Sequence, residues 1–115
     1  MSVDYTTGDG TGGRSIYKDT PYGNAWGTFK DEMFLPHDSA GLLSMANNGK
    51  NANNSQFFIT AANQASHLDD KHVVFGEVLT GLELVDVMQK VPVDDKQRPK
   101  VGYEIKIEEC GQLVG

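Results

Sequence analysis

The stretch Ser44 to Thr60, which reads SMANNGKNANNSQFFIT, concentrates side chains suited to holding a peptide. Each amide side chain offers both a donor and an acceptor, which is what clamping an extended backbone requires. Gln56 and Phe58 stand two residues apart, so on a strand they share one face. Phe58 would then give an apolar floor for a ring such as proline, beside the amide of Gln56. The same residues also read as an Asn-rich turn followed by an ordinary core phenylalanine, and the pattern alone leaves both readings open.

Other clusters carry less. Gly8-Asp9-Gly10-Thr11-Gly12-Gly13 fits G-x-G-x-x-G, but a dinucleotide site needs a strand before that motif and an apolar helix after it. Met1 to Thr7 is a poor strand, Arg14 to Asp19 has no apolar helical face, and Asp9 would repel a pyrophosphate. A tight glycine turn that exposes its backbone is the simpler reading. His67, Asp69, Asp70 and His72 could ligate a metal, yet their spacing matches no zinc template and Cys110 is remote. Hydrogen-bonded structural histidines account for them, and neither metal nor cofactor is expected. Asn53-Asn54-Ser55 is a glycosylation sequon, read here as an unused coincidence. There is no nucleophile elbow, and Asp94-Asp95 and Glu108-Glu109 look like solvated carboxylates.

These residues need elements to place them. From residue 4 to residue 40 the chain holds six glycines and scattered aromatics with no sustained period, so it reads as loop with at most short strands. A loop of that length in a compact domain is functional or points to a missing partner element. Leu42 to Ala46 is a short apolar run stopped by the turn Asn47-Asn48-Gly49. Gln56 to Thr60 and Val73 to Leu79 read as strands, the second with a bulge or close approach at Gly76. Leu82, Val85 and Met88 give a helix over 81–90 that Pro92 ends. Tyr103, Ile105 and Ile107 alternate with charged residues as a half-buried strand. The sum is a mainly β fold, an antiparallel sheet or barrel with a helix packed on it.

Composition sets the outer limits. The chain has 115 residues, enough for a single domain over 1–115. With a net charge of −6 and no basic stripe, neither nucleic acid nor an anionic membrane is an expected partner. No apolar window is long enough to span a bilayer, and Met1 to Tyr5 shows no basic and apolar leader pattern. One cysteine, Cys110, fits a reducing compartment, the cytoplasm or the nucleus.

Taken in order, a series of blocks resembles the cyclophilins over nearly the whole chain. They are Gly10-Thr11-Gly12-Gly13, Ser15-Ile16-Tyr17, Ser44-Met45-Ala46-Asn47, Asn53 to Ile59, His67-Leu68-Asp69, Lys71 to Val78 and Cys110 to Leu113. The resemblance implies a peptidyl-prolyl cis-trans isomerase that assists protein folding, on an antiparallel β-barrel with capping helices. By that resemblance Phe58 and Leu68 line the pocket for the substrate proline, with His72 at its edge. Asn47 would bond the substrate backbone, and Gln56 would help hold the peptide and the catalytic arginine. Ala46, Asn48 and Gly10 would shape the pocket for the residue before proline. His67 stands where many members carry a tryptophan that contacts cyclosporin, which implies weaker cyclosporin binding.

Two departures stand out. The family's catalytic arginine lies in a segment well before the glycine turn, and neither Arg14 nor Arg98 has that context. The barrel is therefore expected to be incomplete at the N-terminus, with low activity, or with proline-peptide binding and no catalysis. Open sheet edges would lead to self-association or strand exchange. The second departure is Lys18 to Lys30, longer than the family's usual link and carrying Trp26.

Overall fold

The structure, a computed structural model, describes residues 5–114. The weak strand read over 1–7 and the loop start at residue 4 therefore fall partly outside the described residues. Three strands form one antiparallel sheet in the order β2-β1-β3, with β1 Leu42–Asn47, β2 Asn53–Ile59 and β3 Val74–Glu77. β1 and β2 make a hairpin in which Leu43 opposes Ile59, Ser44 opposes Phe58 and Met45 opposes Phe57. Its start is fixed by Thr60, whose hydroxyl donates to the Ser39 carbonyl and accepts from the Leu42 N–H.

On the other side of β1, Leu43 opposes Gly76 and Ser44 opposes Val74, so the register slips across Phe75. This is the bulge that a glycine inside an aromatic and β-branched run suggests. The sheet separates two sets of side chains by simple alternation. Ser44 and Phe58 share one face, whereas Met45, Phe57 and Phe75 share the other, where the Phe57 and Phe75 rings meet edge to face at 6.2 Å.

The helix α1 spans Leu82–Gln89 and buries Val85. Gly81 caps it in the left-handed region, φ 90°, a conformation that carries no penalty in glycine. Residues 5–40 contain no regular strand or helix. They are tied to the sheet by paired backbone bonds between Phe29 and Asn53, at 2.8 and 3.2 Å. Asp31 adds to this by accepting from the Asn51 N–H and from Asn53 Nδ2.

One expected strand is corrected. Tyr103 to Ile107 is not in a strand. Tyr103 and Ile107 are about half exposed, at 50% and 53%, and no described strand lies alongside to pair with their backbone. Alternation marks a segment that could face a core; it supplies neither the neighbour nor the hydrogen bonds. The sheet, likewise, has three strands among the described residues and does not close into a barrel.

The most completely buried side chains are polar: His37, Ser44 and Asn53. Burying such groups is costly unless they are hydrogen-bonded; His37 and Ser44, bonded to each other, belong to the site.

Candidate functional site

Phe58 forms the centre of the site. Its ring lies parallel to the His37 imidazole, with centroids 6.2 Å apart and planes 14° apart. The His72 ring meets it edge-on at 5.5 Å and 85°. His72 is itself fixed, because its Nδ1 donates to the Met45 carbonyl at 2.9 Å and its backbone N–H donates to the Leu68 carbonyl. A carbonyl only accepts, so Nδ1 carries a proton. Phe58 is half-buried, which leaves part of an immobilised aromatic surface open to an apolar ring.

Gln56, on the same strand, reaches toward the glycine turn. Its Nε2 donates to the Gly10 carbonyl at 3.1 Å and to the Gly12 carbonyl. The turn itself is braced by Asp9, whose Oδ1 accepts from the Thr7 hydroxyl and from the Thr11 hydroxyl and backbone N–H. No strand precedes Gly8 among the described residues and no helix opens directly after Gly13. The motif is thus a strapped turn that presents carbonyls to Gln56, and it has no helix N-terminus to offer a phosphate.

Asn47 closes β1 with its side chain engaged within the chain. Nδ2 donates to the Lys71 carbonyl at 2.7 Å and Oδ1 accepts from the Gly49 N–H. One Nδ2 hydrogen and one lone pair remain for a ligand. Ala46 precedes it on β1 and exposed Asn48 follows on the turn. His67 and Leu68 sit on the 3-10 turn Ser66–Leu68, where His67 is exposed and Leu68 half-buried. The structure so brings Phe58, His72 and Leu68 together on one side and Gln56 and Gly10 on another. Asn47 reaches the first group through Lys71, next in sequence to His72.

The residue that sequence reasoning missed is His37. It is 1% exposed. Its Nδ1 lies 2.9 Å from Asp69 Oδ1, and its Nε2 lies 2.9 Å from Ser44 Oγ. With Asp69 ionised, Nδ1 donates to it, and Nε2 shares a hydrogen bond with the Ser44 hydroxyl. The connectivity is that of a Ser-His-Asp triad, but Ser44 is 0% exposed, so no substrate reaches its oxygen. The chain of bonds is a brace. No spacing announces it, because Ser44 is 7 residues from His37 and Asp69 is 32. The blocks that place Ser44 and Asp69 give the only sequence signal.

The cluster His67, Asp69, Asp70 and His72 does not converge, since Asp69 turns to His37 and His72 to Met45. Among the described residues no three such groups are arranged to hold a metal. Asn53 of the sequon is 0% exposed, with Nδ2 bonded to the Phe29 carbonyl and to Asp31. It is out of reach of glycosylation.

The Asp69 carboxyl is held below its ordinary value of 3.8, first by the His37 backbone N–H and then by the His37 ring, against a smaller desolvation effect. Because the folded value is the lower one, its contribution to stability is complete above about pH 4 and is lost as pH falls through the folded value. The urea midpoint of the wild type is expected to fall more steeply below about pH 4 than that of Asp69→Asn, which has no carboxyl to protonate. Parallel acid slopes would refute this.

Comparison with known proteins now adds to the geometry. The family model described as cyclophilin type peptidyl-prolyl cis-trans isomerase/CLD matches residues 3–112. The chain belongs to the cyclophilin family. It is 49% identical to peptidyl-prolyl cis-trans isomerase B of Saccharomyces cerevisiae over 95% of this chain and 49% of that protein. It is 48% identical to peptidyl-prolyl cis-trans isomerase H of Mycosarcoma maydis over 96% of this chain and 64% of that one. For peptidyl-prolyl cis-trans isomerase 9 of Caenorhabditis elegans the identity is 49%, over 96% of this chain and 33% of that protein. The chain spans about half the length of the yeast relative. In this cyclophilin the two arginines have surroundings of their own. Arg14 lines a groove with Tyr17, Met45, Phe57 and Phe75, on the opposite face of the sheet, and Arg98 pairs with Asp94 at 3.3 Å.

Proposed function

We propose that this cyclophilin is a peptidyl-prolyl cis-trans isomerase domain that binds proline-containing peptides on the Gln56–Phe58 face and assists the folding of client proteins. The observation that carries the reading is the Phe58 ring, fixed between two histidines yet partly open, beside an amide set on the same strand.

Rotation about an X-Pro bond must break amide resonance over a barrier of about 18–20 kcal/mol. A rate gain of roughly 10⁵ needs about 7 kcal/mol of preferential stabilisation of the twisted bond. Asn47 and Gln56 hold the peptide backbone on one side of that bond while Phe58 and Leu68 grip the prolyl ring, with His72 at the pocket edge. Ala46, Asn48 and Gly10 receive the preceding residue. In the family, an arginine donating to the prolyl nitrogen adds electrostatic stabilisation, worth roughly 10²–10³ in rate for a pre-aimed donor. Arg14 and Arg98 do not stand at the floor, so acceleration by clamp and floor alone is expected to be lower by about that factor.

Exchange spectroscopy on a peptide containing Ala-Pro tests this. Peptide should shift resonances of Phe58 and Leu68 selectively, and cis/trans exchange should quicken. Gln56→Ala should reduce that acceleration roughly tenfold, as expected from losing one hydrogen bond held in the transition state. Binding without any acceleration would make the chain a proline-peptide binding module instead. No selective shifts would refute both readings.

Three further readings belong to the same proposal. Cyclosporin binds weakly, because His67 offers less apolar surface than the tryptophan it replaces. β2 and β3 have one strand neighbour each among the described residues, and such edges favour self-association or strand exchange; a monodisperse monomer in light scattering would contradict this. The cytoplasm is the working compartment, on the strength of one exposed cysteine, Cys110; fractionation of a tagged chain checks it.

A further inference from the structure

We propose that His37 is a positioning residue for the peptide site, fixing the Phe58 floor relative to the turn that carries His67 and Leu68. The inference rests on the reading of Phe58 and Leu68 as the proline pocket. His37 cannot touch substrate, since it is 1% exposed. It instead contacts both halves of the pocket wall.

Its ring lies flat beneath Phe58, at 6.2 Å and 14°. A ring held at both nitrogens cannot turn about its own axis without breaking a bond, and here both are held, Nδ1 by Asp69 and Nε2 by Ser44. The plane presented to Phe58 is therefore fixed. The His37 main chain then pins the turn. Its N–H donates to Asp69 Oδ1 at 2.7 Å, and its carbonyl accepts the Ala65 N–H at 2.8 Å. Ala65 and Asp69 bracket the Ser66–Leu68 turn, so both ends of that turn hang on one buried residue. Asp69 is the shared anchor, accepting from the backbone and from the ring with the same oxygen. Removing it frees the ring plane and one end of the turn together. The floor and the wall would then move relative to each other by small amounts, and a site that grips a small ring is sensitive to such shifts.

The test compares Asp69→Ala, Asp69→Asn and Val85→Ala, the last a core truncation in α1 away from the site. Readouts are peptide affinity by resonance titration, Phe58 and Leu68 shifts without peptide, and the urea midpoint. Asp69→Ala is expected to weaken peptide binding roughly tenfold, the scale of one charge-assisted hydrogen bond, and to move both sets of shifts. Asp69→Asn keeps an acceptor oxygen and should recover most of the affinity. Val85→Ala should lower the midpoint and leave affinity within twofold. If Asp69→Ala fails to fold, His37→Gln takes its place with the same expected loss. Wild-type affinity in Asp69→Ala, or an equal loss in Val85→Ala, would overturn the positioning role while leaving the proposed function intact. A wild-type chain that does not bind the peptide would overturn the proposed function, and this inference with it.

Discussion

Phe58→Ala is expected to weaken binding of a proline peptide roughly 30-fold and to lower stability at once. The prolyl ring loses its apolar floor, and at about 25 cal/mol per Å² a contact of that size is worth about 2 kcal/mol, roughly a 30-fold rise in Kd. Stability falls for a separate reason. Phe58 fills the space between His37 and His72, and truncating a buried Phe costs about 3–5 kcal/mol. Half-burial reduces that here to about 2 kcal/mol. Phe58→Leu separates the two effects, because it retains most of the volume and loses the flat surface. Its urea midpoint should stay close to wild type while its affinity falls. A Phe58→Ala chain that binds the peptide within twofold of wild type would remove Phe58 from the site.

Gly13→Ala carries the second large effect. Gly13 has φ +126°, and a Cβ there would lie 2.5 Å from Asn54 Oδ1 and 2.7 Å from its Cγ. Asn54 is 9% exposed, so it has little room to yield. Its Oδ1 accepts from the N–H groups of Ser55 and Gln56, at 2.6 and 2.9 Å. The substitution therefore adds backbone strain of about 1–3 kcal/mol and displaces the side chain that seats Gln56. A fall in Tm of roughly 10 °C is expected, together with weaker peptide binding as Gln56 loses its hold on the glycine turn. Gly8→Ala is the comparison, with φ +76° and nothing within 4 Å of the new Cβ. It should show the strain alone, with binding unchanged. Equal effects at both positions would exclude the Asn54 clash as the cause.

Sequence reading went furthest where local pattern and packing agree. The aromatic and β-branched runs at 56–60 and 73–79 are strands over most of their length, and the Leu82–Val85–Met88 stripe is a helix that buries Val85. The glycine in the second run marks a real slip in register. Failure came where structure depends on distant partners. Tyr103 to Ile107 has the pattern of a strand and no described strand beside it. His37 has no pattern at all, because its importance comes from residues on β1 and beyond the 3-10 turn. Gln56 and Phe58 lie on one strand, as their run predicts, but the bonds of Gln56 to Gly10 and Gly12 span 46 and 44 residues. Separations of that kind leave no periodic trace. The brace formed by His37, Ser44 and Asp69 became visible only in three dimensions.

β1 lies inside the sheet, with β2 on one side and β3 on the other. Its backbone cannot meet water unless one neighbour is peeled away, whereas the outer strands can fray from their far sides. Leu43 and Ser44, paired on both sides, therefore belong to the slowest-opening unit of this sheet. Gly10 and Gly12 sit on a loop attached partly through the side chain of Gln56, and loops of that kind move faster by orders of magnitude. A peptide lying across the face would rest on two clocks. The side resting on β1 would hold its shape through many openings of the glycine loop, whose hold on the sheet includes the Gln56 side chain.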